Sequence, residues 1–94
     1  MKPRPIRNIY PSRRYVSSFR KLDPQIQQRL IIRERLFRQD AYYPGLKTHQ
    51  LEGDLGNKGF LAYYVDENVR VMFTFVSADE VLYIDVGDHG IYRI

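Results

Sequence analysis

The sequence predicts an α+β fold: an N-terminal strand and a helical hairpin packed on one face of a sheet of four or five mainly antiparallel strands. Three observations carry this. Residues 60–86 alternate apolar and polar side chains in runs separated by short polar turns. Two earlier stretches place apolar residues at helical spacing, each opened by a capping residue beside a proline. A helical hairpin with one apolar face needs a sheet to cover it.

Taken in order, residues 1–5 hold two prolines and two basic residues and are expected to form a loose arm. Arg7 to Tyr10 is a short strand, which Pro11 keeps from continuing as a central one. Pro11-Ser12 starts the first helix, with the Ser12 hydroxyl placed to accept an orphan amide; Tyr15, Val16, Phe19 and Leu22 form its apolar face. Asp23-Pro24 restarts the chain as a second helix running to about Gln39. Ile26, Leu30, Ile31 and Phe37 give that helix an inner face, and Arg29, Arg33 and Arg38 lie outside. Tyr42 to Gly45 is a turn, Thr48 to Glu52 a short extended segment, and the glycine-rich stretch 53–59 a loop. Phe60 to Val65 is a strand, joined through Asp66-Glu67-Asn68 to a second. In that second strand Val69, Val71, Phe73 and Phe75 point one way and Arg70, Met72, Thr74 and Val76 the other. After Ser77 to Glu80 a last strand sets Leu82, Ile84 and Val86 against Val81, Tyr83 and Asp85. One domain spans residues 1–94 on this reading.

Composition narrows the function classes. The chain has 94 residues and no cysteine, so neither disulfides nor a cysteine zinc site holds it together, which fits a cytoplasmic location. No apolar run is long enough to span a membrane, and the basic N-terminus lacks the apolar stretch of a signal peptide. The net charge of +4 conceals an asymmetry: residues 1–39 carry eleven Lys/Arg against two acids, and residues 40–94 carry four against nine. A polyanion is the natural partner of such a basic half, since neutralising phosphates releases counterions. Arg29, Arg33 and Arg38, with Lys47 and Lys58, are the candidate phosphate contacts, against the alternative of solvated surface charges.

Four residues suit chemistry on a phosphodiester. Arg70 sits in an otherwise apolar strand, and an unpaired charge under the helices would be costly, so it is expected on the open sheet face. There it could clamp a pentavalent phosphate; the alternative is an ion pair with Asp85 or Glu52. His89, in the turn Gly87-Asp88-His89-Gly90, offers an imidazole for proton transfer or is a plain turn residue. His49 would add the second imidazole that an acid–base pair requires, or is an ordinary strand histidine. Tyr92 could stack on a base, donate to the phosphate, or simply anchor the last segment. The two histidines and the carboxylates show no metal-ligand spacing.

Four stretches occur in one order: Phe19 to Pro24, Leu46-Lys47-Thr48-His49-Gln50-Leu51-Glu52-Gly53, Arg70-Val71-Met72-Phe73, and Gly87-Asp88-His89-Gly90-Ile91-Tyr92-Arg93. Together they resemble the RelE/YoeB/YafQ group of bacterial toxins, over nearly the whole chain. The resemblance implies a toxin of a type II toxin–antitoxin module, an endoribonuclease that cuts mRNA on the ribosome, inhibits translation and uses neither metal nor cofactor. The attacking group is the RNA's own 2′-OH, and a cognate antitoxin neutralises the toxin. By the same resemblance Arg70 matches the strand arginine, His89 the C-terminal imidazole, Tyr92 the C-terminal aromatic, and His49 the additional histidine of the YafQ branch. Asp85 stands where a second cation is expected and would oppose a phosphate. The wider superfamily also holds ParE-like gyrase inhibitors of the same fold. A non-catalytic interaction protein is therefore the alternative reading, with a plain RNA-binding domain third.

Overall fold

A computed structural model describes residues 2–93. Five strands form one sheet: β1 (Asn8–Pro11), β2 (His49–Gln50), β3 (Phe60–Tyr64), β4 (Arg70–Ser77) and β5 (Glu80–Gly87), in the order β1-β5-β4-β3-β2. The meander β2 to β5 is antiparallel, as alternation with tight turns requires, and β1 joins its free edge parallel to β5.

Helix α1 (Arg13–Arg20) opens as expected: the Ser12 hydroxyl accepts the Tyr15 amide at 3.0 Å. It also donates to the Ile84 carbonyl at 2.8 Å, tying the helix start to β5. Helix α2 (Pro24–Gln39) has Pro24 in its first turn, although the Asp23 side chain makes no capping bond. Leu30 and Phe37 are buried and Ile26 packs beside them, but Ile31, expected inside, is 47% exposed. It lies one residue, about 100° of helix, past Leu30, which turns it off the inner stripe.

The two helices cover one side of the sheet. Tyr15, Leu30 and Phe37 pack with Tyr63, Val71, Phe73, Val81, Tyr83 and Val86 into the main core. Phe37 is fully buried, with its ring centroid 4.6 Å from that of Tyr63 and 4.9 Å from that of Phe73; its truncation to Ala would cost about 3–5 kcal/mol.

The opposite side is not bare. Residues 53–59, expected as a loop, form a short helix α3 (Gly53–Asn57) and its exit. Leu51, Leu55, Ala62, Met72, Ile84, Ile91 and Tyr92 gather there as a second, smaller cluster. Gly56 is a steric necessity: a Cβ on it would lie 1.8 Å from the Leu51 carbonyl oxygen. The chain ends this side with a 3-10 turn, His89–Tyr92, closed by the Asp88 side chain accepting the Gly90 amide.

Two further expectations change. Ile84 is an extra residue in β5: Met72 lies opposite Asp85 and Phe73 opposite Tyr83. This bulge breaks the parity, so Val86 leaves the set of Leu82 and Ile84 and joins the helix-side core. The N-terminal arm is tied rather than loose from Arg4 onward. The Arg4 amide donates to Asp40, its carbonyl accepts from Ala41, and its guanidinium lies 3.6 Å above the Phe75 ring. Met1 lies outside the described residues.

Candidate functional site

On the side away from the helical hairpin, strand β4 enters the sheet at Arg70 and β3 leaves it at Tyr64, directly opposite in the register. The same corner receives β2 with His49 and the C-terminal turn with His89 and Tyr92. These residues, with Gln50, Leu51, Glu52 and Leu55, line a cleft of about 530 Å³. Arg70, His89, Tyr92 and His49, singled out from the sequence, therefore share one concavity.

Within it five side chains form a row. His49 stacks on Tyr64, with ring centroids 5.8 Å apart and planes 23° from parallel. The Arg70 guanidinium carbon lies 4.8 Å from the Tyr64 ring centroid and 5.7 Å from that of Tyr92. Tyr92 meets His89 edge to face at 5.0 Å. A cation thus sits between two aromatic rings with an imidazole beyond each. Quadrupole attraction of this kind contributes roughly 0.5–2 kcal/mol and leaves the cation's charge uncancelled.

Arg70 makes no ion pair among the described residues, and its Nε is buried without a protein partner, as is the Tyr92 hydroxyl. Burial pushes the Tyr92 phenol up, and the Arg70 cation pulls it the other way. Glu52 lines the cleft without pairing to Arg70. Asp85 does not oppose a phosphate there: it is buried in a 2.7 Å ion pair with Arg14 and accepts the Val86 amide. Arg14 continues to the Ile91 carbonyl at 3.2 Å, so the pair holds the C-terminal turn against β5.

His49 has a defined tautomer when neutral. Its Nδ1 lies 2.9 Å from the Lys47 carbonyl oxygen, which can only accept, so Nδ1 carries the proton and Nε2 keeps a lone pair. Lys47 itself has φ 53° and ψ 39°, a left-handed conformation that a side chain enters at a cost of about 1–2 kcal/mol.

The remaining candidates lie elsewhere. Lys47, Arg29 and Arg33 line an adjoining groove with Gly45, Tyr64, Val65, Asp66 and Glu67. The two arginines are also braces: Arg29 Nε donates to the Val65 carbonyl, Arg33 Nε to that of Tyr64, and Arg33 Nη2 to that of Gly45. Lys58 is exposed behind α3, and exposed Arg38 faces Glu34 at 3.8 Å; neither lines the cleft or the groove. Tyr64 is the residue the sequence reading missed. Only its position opposite Arg70 across the hairpin could have signalled it. Among the described residues no helix is long and apolar enough to cross a membrane.

The α1–α2 hairpin on a β1-β5-β4-β3-β2 sheet is a RelE-like fold. Solved structures place the chain there: it superposes on the YoeB/ParE toxin from Agrobacterium tumefaciens with a TM-score of 0.72 (13% identity, covering 88% of this chain and 99% of that one). A chain of the E. coli DinJ-YafQ toxin-antitoxin complex gives 0.70 (18% identity, 94% and 98% covered). A chain of the Mycobacterium tuberculosis RelBE2 toxin-antitoxin complex also gives 0.70 (13% identity, 95% and 94% covered). No protein-family model and no curated protein sequence matches the chain.

Proposed function

We propose that this chain is the toxin of a type II toxin–antitoxin module, a metal-independent endoribonuclease that cuts mRNA on the ribosome. The observation that carries the reading is Arg70, without a carboxylate partner among the described residues and held between Tyr64 and Tyr92 with a histidine beyond each ring. A cleft so arranged suits a phosphodiester whose own 2′-OH is the nucleophile. His49 Nε2 takes the 2′-OH proton as the 2′-oxygen bonds to phosphorus. His89 is the general acid that gives a proton to the 5′-oxygen as the P–O5′ bond breaks, leaving a 2′,3′-cyclic phosphate and a 5′-hydroxyl. Arg70 stabilises the charge that builds on the non-bridging oxygens, and the Tyr92 ring beside it holds the guanidinium in place. An antitoxin would silence the chain by covering this cleft, and the basic first half would bind ribosomal and messenger RNA.

Induced expression in a bacterium tests the reading. Wild type should arrest growth and cut translated mRNA, leaving 2′,3′-cyclic or 3′-phosphate ends, with cleavage unaffected by EDTA. His89→Ala should lose about 10²–10⁴ in rate while remaining folded. Arrest without mRNA cleavage but with trapped gyrase–DNA complexes would replace this reading with the ParE-like one.

A further inference from the structure

Tyr64 is the wall between two depressions. One is the cleft of Arg70 and the two histidines; the other, of about 450 Å³, is lined by Arg29, Arg33, Lys47, Gly45, Tyr64, Val65, Asp66 and Glu67. We propose that this second groove is a subsite for the nucleotide flanking the scissile one, with Lys47 as its phosphate contact; the proposal rests on the ribonuclease reading.

Three observations support it. First, Arg29 and Arg33 are fixed in the groove wall by Nε bonds to the Val65 and Tyr64 carbonyls, and Arg29 has no acidic partner among the described residues. Second, the carboxylates are unequal opponents. Asp66 Oδ1 is turned onto the Asn68 and Val69 amides at 2.8 and 2.6 Å, which fixes that carboxylate in its own turn, whereas Glu67 is exposed. Third, Lys47 is the sole residue other than glycine with positive φ among the described residues. Glycine is the default for such a turn exit. A lysine that bears the strain has a use for its side chain, and strained backbone concentrates at functional sites. Its carbonyl also fixes the His49 tautomer, so the residue that would grip the flanking phosphate lies two residues from the proposed base and bonds to it directly.

Tyr64 lines both depressions, so an RNA strand crossing that ring would pass from the cleft of Arg70 into the groove of Lys47. The substitution that separates the roles is Lys47→Gly, because glycine takes φ 53° freely and keeps the carbonyl that orients His49.

The test is cleavage by the full chain of ribosome-loaded mRNA carrying a single neutral methylphosphonate at each phosphate flanking the cut. At one flanking position the neutral linkage should lower wild-type kcat/KM roughly tenfold. Lys47→Gly should show a similar loss, a salt dependence shallower by about one in log–log slope, and an unchanged or raised melting temperature. In Lys47→Gly the same methylphosphonate should have no further effect, since both changes remove one contact. Lys21→Gln, an equal loss of charge outside the groove, should retain the wild-type response to the methylphosphonate. Additive losses at every position, or a Lys47→Gly enzyme as active as wild type, overturn the subsite and leave the nuclease reading intact. A wild type that cuts no mRNA overturns both.

Discussion

The two sides of the sheet treat buried polar groups in opposite ways. Under the helices, the Tyr63 and Tyr83 hydroxyls meet at 2.7 Å, each the other's partner, and burial pushes both phenols well up. On the far side, the Arg70 Nε and the Tyr92 hydroxyl are buried with no hydrogen-bond partner among the described residues. An unsatisfied buried polar atom costs about 1–3 kcal/mol, so the second arrangement is carried against stability. The helix side is built to hold the chain together. The cleft side leaves polar atoms of Arg70 and Tyr92 unmatched beside each other.

The largest expected effect is at Arg70. Arg70→Leu should lower mRNA cleavage by about 10²–10³, the usual cost of losing one electrostatic donor, while thermal denaturation shows stability unchanged or increased. A variant that is both inactive and poorly folded would place Arg70 on the structural side of the comparison.

The tyrosine pair should behave in reverse. Tyr83→Phe strands the Tyr63 hydroxyl and should cost about 1–3 kcal/mol in urea denaturation, with cleavage unaffected. Tyr63→Phe/Tyr83→Phe should recover most of that loss. Because both folded phenols titrate above their ordinary value near 10, their contribution is complete below that pH and is lost as pH rises past it. The double variant should therefore unfold less steeply in alkali. If the double loses as much as the sum of the singles, the hydroxyls are not each other's partners.

A smaller effect is expected where β1 joins β5. Glu80 accepts from the Tyr10 hydroxyl, the Asn8 amide and the Ser77 hydroxyl, which hold its carboxyl down to about 2. That stabilisation is present above the ordinary carboxylate value of 4.5 and is lost as pH falls toward 2. Glu80→Gln should flatten the acid limb of the stability profile and leave cleavage unchanged; an identical acid limb would show that these bonds contribute nothing.

The strands 60–64 and 70–77 and the two long helices were legible because alternation, caps and prolines act locally. What escaped depends on contacts distant in sequence. Helix α3 reads as a loop because glycine is a poor helix former, and it is held by Leu55 and by the fit of Gly56 against Leu51. The Ile84 bulge leaves no trace in the alternation, so the side taken by Val86 was misjudged. His49 and His89 stand out as the two histidines of the chain, Arg70 as a charge in an apolar strand, and Tyr92 through the C-terminal stretch that carries the family resemblance. Tyr64 does not, being one of eight tyrosines, and its part follows only from pairing across the hairpin. The arginines of α2 read as free charge, yet two of them spend donors on carbonyls of β3 and its exit.

The parallel pairing of β1 with β5 also sets an order of events. Asn8 and its partner Glu80 are 72 residues apart, and Arg14 reaches as far to secure the turn that carries His89 and Tyr92. Contacts of such long sequence separation form late, after the entropy of closing the loop has been met. Until β5 is in place, the turn that carries His89 and Tyr92 cannot complete the cleft. The last parts to assemble are β5 and the turn that carries His89 and Tyr92, so the cleft is completed only when the two ends of the described chain have come together.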